Sequence, residues 1–182
     1  QGLPQLHRQG TTMQLLVDGR PFVILGGELH NSSASSLAHM EPIWPKLVAL
    51  NLNTVLATVS WELLEPEEGR FDFALVDGLL DGARRHNLRL VLLWFGSWKN
   101  GVSSYVPGWV KQDLSRFPRM QPKAGDNAEV LTPLSETNCT ADARALAALM
   151  RHLKEADGTR HTVLMVQVEN EVGLLQYKQD SE

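Results

Sequence analysis

The stretch that decides the fold is VLMVQVENE, residues 163–171. Its first six residues are mostly β-branched or apolar, and its last three are polar and include two carboxylates. A near-continuous apolar run of this length predicts a strand that is buried on both faces, as in a parallel sheet. Active sites of parallel α/β folds lie at the carboxyl ends of the strands. The sequence therefore predicts that Glu169, Asn170 and Glu171 belong to a functional site.

Carboxylates at the end of a buried strand suit acid–base chemistry. Burial disfavours the charged form of a carboxyl group and raises its pKa. A carboxylic acid that stays protonated near neutral pH can donate a proton to a leaving oxygen. In the alternative interpretation, these three residues only cap the strand and pair with a lysine or arginine. The residues at the ends of the other strands help to decide between the acid–base role and the capping role.

Composition bounds the class of protein. The chain has 182 residues, of which 43% are hydrophobic and 21% charged, which is enough for one domain with a substantial core. The formal net charge of −4 argues against nucleic acid as a partner. No apolar run is long enough to span a bilayer, so no membrane segment is predicted.

The N-terminal residues and the single cysteine bear on the compartment. The sequence begins QGLP, which is compatible with a mature N-terminus left by signal-peptide cleavage and predicts a secreted or periplasmic protein. Cys139 is the only cysteine and allows no internal disulfide. Asn31 and Asn138 begin N-glycosylation patterns, which also occur often by chance.

Four strand-like runs follow an N-terminal hairpin. Residues 1–10 are expected to form an irregular arm, and Asp18-Gly19 between two apolar runs predicts a tight hairpin turn. Further apolar runs end in polar or aromatic residues, and they predict strands near residues 22–27, 54–59, 90–95 and 162–168.

Helical patterns separate most of these strands. One begins near Glu41, a second follows a predicted N-cap at Asp72, and a third follows a predicted N-cap at Thr140. The segment from Gly101 to Thr137 is instead long and irregular. Long loops in compact domains are usually functional or disordered, and the aromatic residues here favour a folded flap.

The order of strands and helices indicates consecutive βαβ units. Right-handed crossovers in such units make all four strands parallel. Half of a (β/α)8 barrel and an open doubly wound sheet both fit, but the sequence lacks the glycine-rich nucleotide-binding motifs typical of the open sheet. The predicted fold class is α/β, a (β/α)8 TIM barrel to which this chain supplies roughly the first four β/α units. Residues 1–20 would form the arm and hairpin strand, and residues 21–182 the first half of the catalytic domain.

The strand ends supply the residue types of a sugar-binding site. They comprise carboxylates, an amide, a histidine and tryptophans, namely Glu28, His30, Trp61, Glu62, Trp94, Trp98, Glu169, Asn170 and Glu171. Carboxylates and amides bind sugar hydroxyls, and indole rings stack on the apolar face of a sugar. The tryptophans are equally compatible with core packing, and His30 with a structural hydrogen bond. The histidines show no metal-binding spacing, so no metal site is predicted.

These strand ends resemble a known family. Residues 166–173, VQVENEVG, resemble the acid/base stretch of glycoside hydrolase family 35, the β-galactosidases, which belongs to a large clan of retaining glycosidases built on (β/α)8 barrels. Residues 26–30, GGELH, resemble that family's first-strand end, and residues 52–66 and 90–109 fit its second and third strands. The resemblance covers most of the chain, and a divergent bacterial branch or the neighbouring family 42 fits the same pattern.

The resemblance implies roles for individual residues. Glu171 is the general acid/base, Asn170 holds the sugar 2-hydroxyl, and Glu169 contacts the sugar or supports its neighbours. The family's tyrosine on the second strand is Thr58 here, and its acidic residue before the third-strand tryptophan is Ser97. The family's nucleophile, near a seventh strand, has no counterpart in this chain.

The expected function is that of a retaining β-glycosidase, in the first instance a β-galactosidase that uses two carboxylates in a double displacement. No metal or organic cofactor is needed. The expected partners are a carbohydrate substrate and the remaining half of the barrel, from the same or a second chain, and residues 176–182 are expected to form a mobile loop. The alternatives are an inactive carbohydrate-binding barrel and a glycosidase of the same clan with another sugar specificity.

Overall fold

The computed structural model describes residues 2–121 and 128–173, in which helices accompany two sheets. The strands are β1 (Gln5–Gln9), β2 (Thr12–Val17), β3 (Arg20–Pro21), β4 (Gly26–Glu28), β5 (Thr54–Ser60), β6 (Arg89–Phe95) and β7 (Val163–Val168). The helices are α1 (Leu37–Met40), α2 (Trp44–Ala49), α3 (Trp61–Leu64), α4 (Ala74–Arg85), α5 (Gly108–Gln112) and α6 (Glu136–Ala156). Within the described residues, no helix is long and apolar enough to cross a membrane.

The chain forms two compact units. The first comprises Gln1–Thr58, Ala74–Leu92 and Arg151–Val166, and the second comprises Val59–Phe73, Leu93–Met150 and Gln167–Glu182. Strands β5, β6 and β7 begin in the first unit and end in the second. The predicted tail over residues 176–182 and part of the predicted flap, residues 122–127, lie outside the described residues.

The first sheet is an antiparallel meander of β1, β2 and β3. Asp18 and Gly19 have φ values of 52° and 76°, as a two-residue hairpin turn requires, which confirms the predicted turn. The irregular arm predicted over residues 1–10 is wrong in part, because β1 pairs with β2 along its whole length. Gly10, at φ 62°, supplies the left-handed turn that allows this pairing.

The second sheet contains β4, β5, β6 and β7 in that order. β4 pairs with β5 in parallel. The Arg89 N–H donates to the Asn53 carbonyl, and the Leu90 N–H donates to the Thr162 carbonyl, so β5, β6 and β7 all begin at one edge. The predicted order of four strands in a parallel α/β sheet is thereby confirmed. Within the described residues the sheet is open and does not close into a barrel.

The strands differ in burial. β5 and β6 are buried except at Leu56 and Arg89, as their apolar runs predicted. In β7 only Leu164 is buried, and Met165 and Val168 are exposed. Burial of this strand on both faces was therefore a wrong prediction for the described residues, because β7 lies at the edge of the sheet.

Polar residues set the ends of the helices. Asn87, at φ 55°, follows α4, and the Leu88 N–H donates to the Ala83 carbonyl. The helix therefore ends in a left-handed residue at Asn87. The N-cap predicted at Thr140 lies five residues earlier, at Ser135, whose hydroxyl accepts the Asn138 N–H at 3.3 Å, so the helix begins at Glu136. The helix expected to begin near Glu41 begins later, at Trp44.

A buried carboxylate fixes the start of β7 within the first unit. Asp157 accepts the N–H groups of Thr162 and Val163 at 3.1 and 2.8 Å and the Arg84 guanidinium at 2.7 Å. Burial alone would raise the pKa of Asp157, but these hydrogen bonds outweigh it and hold the pKa below its usual value. Arg84 also contacts Asp81, whose side chain is 69% exposed.

This arrangement predicts that removing the Asp157 carboxylate destabilises the fold more than removing the Asp81 carboxylate. Asp157→Ala leaves the N–H groups of Thr162 and Val163 without their acceptor and removes the nearest carboxylate from Arg84, so it should lower the free energy of unfolding by about 2–4 kcal/mol. Asp81→Ala, the matched control, removes only an exposed contact to the same arginine and should cost about 0.5 kcal/mol or less. Denaturant titration of the two variants measures the difference, and equal losses would contradict the anchoring role of Asp157.

Candidate active site

Hydrogen bonds join the ends of β6 and β7 in the second unit. The Trp98 backbone N–H donates to Glu169 Oε2 at 2.9 Å, and its indole N–H donates to the Glu171 carbonyl at 2.9 Å. The Asn170 amide donates to the Lys99 carbonyl at 3.2 Å. The structure therefore brings together four of the predicted site residues: Trp98, Glu169, Asn170 and Glu171.

The backbone after β7 is in an uncommon conformation. Glu169 and Glu171 have φ values of 61° and 45°, in the left-handed region that non-glycine residues seldom adopt. Such conformations persist where surrounding contacts hold them, and they cluster at functional sites. Here the contacts are those made by Trp98 and Lys99.

Glu171 presents its carboxylate to solvent. Its side chain is 61% exposed, and Oε1 lies 3.7 Å from Nζ of Lys99, which is itself nearly buried. The expected desolvation of Glu171 at a buried strand end is therefore wrong for this structure, because the edge strand leaves its end open. Its role as general acid/base stays a prediction.

The half-buried Glu169 is the carboxyl group of the site with a strongly raised pKa. Burial and, next, the neighbouring Asp142 carboxylate raise the pKa of Glu169 to about 9, although the Trp98 N–H opposes the shift. At neutral pH Glu169 is therefore a neutral acid. The raised pKa that was expected of Glu171 is therefore found at Glu169, two residues earlier.

Asp142, on α6, was not among the residues predicted from the sequence. Its Oδ1 accepts the Trp94 indole N–H at 2.8 Å, and its Oδ2 accepts the Ser97 N–H at 2.9 Å and hydroxyl at 2.6 Å. One signal could have found it. Asp142 lies one helical turn before Leu146, on the apolar side of α6, where an unexplained acidic residue indicates a buried partner.

Gly96 leaves the space in which these groups meet. A β-carbon at this position would lie 2.4 Å from Asp142 Oδ1, 2.4 Å from the Trp94 indole nitrogen and 2.5 Å from Glu169 Oε1. Each distance is too short for any side chain. Glycine is thus required by the close approach of the two carboxyl groups to the backbone.

Two of the predicted sugar-binding tryptophans are core residues. Trp61 and Trp94 are fully buried, and their indole N–H groups donate to Glu65 and Asp142. The structure thus favours the alternative that the sequence left open for these two rings. Trp98 is 7% exposed and packs against other buried apolar side chains. Substrate binding by the tryptophans stays a prediction.

The flap packs on the carboxyl end of β5. The Glu62 N–H donates to the Tyr105 carbonyl at 2.9 Å, and Lys111 donates to the Glu62 carboxylate at 3.0 Å. The Trp109 indole N–H donates to the Glu65 carbonyl at 3.0 Å. The described part of the flap therefore is folded, as predicted, and lies at the carboxyl end of this strand.

Glu28 and His30 lie in the first unit, at and just beyond the end of β4. Both are exposed. The Leu29 N–H between them donates to the Leu56 carbonyl, which continues the pairing of β4 with β5. Their part in substrate binding stays a prediction.

A cavity of about 370 Å³ adjoins the buried carboxyl groups. It is lined by Ser97, Trp98, Thr132, Pro133, Asn138, Cys139, Asp142, Ala143, Leu146, Val168, Glu169 and Val172. Asn138 is buried, and its amide donates to two backbone carbonyls, so the glycosylation pattern at Asn138 is inaccessible in the folded chain. The described residues contain no cluster of three or more His, Cys, Asp or Glu that could hold a metal ion.

The crowding at Gly96 predicts that adding a β-carbon at this position destabilises the fold. Gly96→Ala must displace both carboxyl groups or the Trp94 indole, and it should lower the free energy of unfolding by about 1–3 kcal/mol. Gly108→Ala is the matched control, because its β-carbon would meet nothing closer than 4.0 Å and its φ is ordinary. The control should be neutral or slightly stabilising. Similar unfolding midpoints for the two variants would contradict the close packing described at Gly96.

The raised pKa of Glu169 predicts how stability depends on pH. Between pH 4.5, its ordinary pKa, and about 9, the folded state keeps a proton that the unfolded state releases. The stabilisation is therefore complete below about pH 4.5 and is lost as the pH rises towards 9. Glu169→Gln should flatten this decline, whereas the exposed control Glu155→Gln should not. Denaturant titrations at several pH values test this, and equal slopes in all three proteins would refute it.

Known proteins resemble the chain in sequence and in fold. A β-galactosidase from Xanthomonas manihotis is 39% identical over 71 residues, which are 39% of this chain and 11% of that protein. The exo-β-1,4-mannosidase Op5Man5 from Opitutaceae bacterium strain TAV5 superposes with a TM-score of 0.60 at 20% identity, over 87% of this chain and 26% of that one. The second likeness shows the fold alone. The chain thus matches only a part of the length of either relative.

A family model decides between the two families considered from the sequence. The model of glycoside hydrolase family 42, described as β-galactosidase, matches residues 38–182. Membership of family 35 is not confirmed, and the matching family is the neighbouring one that fitted the same pattern. Because the match covers most of the sequence, the chain belongs to glycoside hydrolase family 42, the β-galactosidase family.

Proposed function

We propose that this chain supplies the proton donor of a retaining β-galactosidase with a (β/α)8 barrel. The observation that carries the proposal is the placement of Asn170 and Glu171 directly after β7, with the Glu171 carboxylate open to solvent and its backbone held by Trp98. Family membership supports a glycosidase. The parallel order of β4 to β7 supports a barrel in which this position faces the substrate.

In the proposed reaction Glu171 acts twice. It first gives a proton to the glycosidic oxygen while a second carboxylate, about 5–5.5 Å away, attacks the anomeric carbon. It then takes a proton from the water that releases the sugar. The Lys99 ammonium group, 3.7 Å from Glu171 Oε1, stabilises the carboxylate formed by the first step. Asn170 is proposed to bind the 2-hydroxyl, and the reaction needs no metal or organic cofactor.

The sugar specificity is proposed to be for terminal β-linked galactose. The β-galactosidase from Xanthomonas manihotis supports this choice by sequence similarity. The mannosidase resembles the chain in fold alone and does not bear on the sugar. A panel of nitrophenyl glycosides distinguishes galactose from the other sugars of the clan, and activity on none of them would favour an inactive carbohydrate-binding barrel.

The nucleophile and the remaining half of the barrel are proposed to come from the same protein beyond this segment or from a second chain. The exposed apolar residues Met165 and Val168 on the edge strand β7 support a further neighbour for this strand. A secreted or periplasmic location is part of this proposal. Carbohydrate is the proposed substrate, with neither nucleic acid nor a membrane as partner.

Replacing Glu171 tests its role as proton donor. In the protein that carries this chain, Glu171→Gln should lower kcat/KM on an unactivated phenyl galactoside by about 10²–10⁴-fold. The loss should be far smaller on a dinitrophenyl galactoside, whose leaving group needs no proton. Glu155→Gln, an exposed change on α6, is the control and should leave both substrates unaffected. An equal loss on both galactosides would exclude Glu171 as the acid.

A further inference from the structure

Two acidic side chains of the second unit bind the same pair of donors. The Ser97 N–H lies 2.9 Å from Asp142 Oδ2 and 3.2 Å from Glu169 Oε1. The Ser97 hydroxyl lies 2.6 Å from the same Asp142 oxygen and 3.5 Å from the same Glu169 oxygen. Two carboxylates this close in a buried site cannot both be ionised at low cost, so one proton must lie between them.

The geometry indicates where that proton resides. Asp142 has three close donors, at 2.6, 2.8 and 2.9 Å, which is the environment of an anion. Glu169 Oε1 makes the longer contacts to Ser97, at 3.2 and 3.5 Å, and its Oε2 accepts the Trp98 N–H at 2.9 Å. The proton therefore belongs on Glu169 Oε1, from which it can be donated to Asp142.

This pair is connected to the proposed acid. Glu169 holds the Trp98 backbone N–H, and the Trp98 indole holds the Glu171 carbonyl. The Lys99 carbonyl, one residue later, holds the Asn170 amide. A displacement of the turn formed by Ser97 and Trp98 would therefore move the side chain of Asn170 and the backbone of Glu171.

We propose that Asp142 and Glu169 share one proton and act as positioning residues for Glu171, through the turn formed by Ser97 and Trp98. The proposal rests on the acid/base role proposed for Glu171. With one proton, the pair pulls Ser97 and Trp98 onto the end of β7. With none, two negative charges repel each other, and the bond from Trp98 to Glu169 is lost.

Few other ionisable groups are near the pair. Among the described residues, Cys139 on α6 is the remaining titratable group that lines the adjoining cavity. Lys99 follows β6 and pairs with Glu171, which follows β7. These three groups are the ones whose ionisation an experiment must separate from that of Asp142 and Glu169.

The shared proton is measured directly by NMR. In the protein labelled with ¹³C-glutamate, the side-chain carboxyl signal that Glu169→Gln removes should titrate well above neutral pH. Asp142→Asn removes the negative charge beside Glu169, so the same signal should titrate at least about two pH units lower. Cys139→Ser should not change the titration. An ordinary titration of Glu169 in the wild type, or none of the expected shift in Asp142→Asn, would overturn the proposal.

The positioning role is measured by kinetics on the phenyl galactoside. Glu169→Gln keeps one hydrogen between the two side chains and should keep kcat within about threefold of wild type. Asp142→Ala and Glu169→Ala should each lower kcat by at least about tenfold with KM little changed, because misplacement of a catalytic group acts on the chemical step. The double alanine variant should be no worse than either single one, as expected of residues that act as a unit.

A structural control separates positioning from loss of folding. Asp157→Ala removes another buried carboxylate and should lower stability without lowering kcat of the folded enzyme. Alanine variants at positions 142 and 169 that lose no more kcat than Asp157→Ala would overturn the positioning role. Failure of Glu171→Gln to distinguish the two galactosides would instead reject the proposed function, and the NMR titration would still decide on the shared proton.

Discussion

The backbone N–H groups of Ser97 and Trp98 are the constraint on which the arrangement of the site depends. They follow β6 and point to carboxyl oxygens supplied by α6 and by the residue after β7. Strand ends are irregular backbone, and their donors need acceptors once water is excluded. In this chain acidic side chains provide these acceptors. The same contacts that satisfy the end of β6 therefore hold the left-handed backbone at Glu169 and fix the direction in which the chain leaves β7.

Burial shifts the pKa of Asp157 and of Glu169 upwards, yet the two carboxyl groups have opposite ionisation. Asp157 receives two backbone N–H groups and a guanidinium, and these contacts hold it as an anion despite its burial. Glu169 has no cation among its hydrogen-bond partners and faces a second carboxylate, so burial dominates and it keeps its proton. The difference lies in the groups that contact each carboxyl group and not in burial, which raises the pKa of both. The first group behaves as a permanent anchor, and the second as a group whose charge depends on pH.

The sequence predicted β5, β6 and the order of the four strands well because β5 and β6 carry apolar runs that a buried strand explains. The strand expected near residues 22–27 is instead the short β4, which begins only at Gly26. The sequence predicted less well which carboxyl group is desolvated. Glu169 and Glu171 share one short polar stretch, and their burial depends on backbone conformation and on the helix that packs nearby. Asp142 comes from a distant position in the chain, so local periodicity did not connect it with the site. The buried indole N–H groups of Trp61 and Trp94 show the same limit, since composition does not reveal which acceptor a tryptophan finds.

Ser97 has a consequence for how this segment can change in evolution. The family 35 pattern has an acidic residue at this position, and here a hydroxyl donates to Asp142. A carboxylate in place of this hydroxyl would add a third acidic group to a pair that already keeps a proton to limit repulsion. Positions 97 and 142 are therefore coupled, and an acidic residue at one is compatible only with a neutral or basic residue at the other. Homologous chains should accordingly fall into two electrostatic classes, distinguished by which of the two positions carries the negative charge.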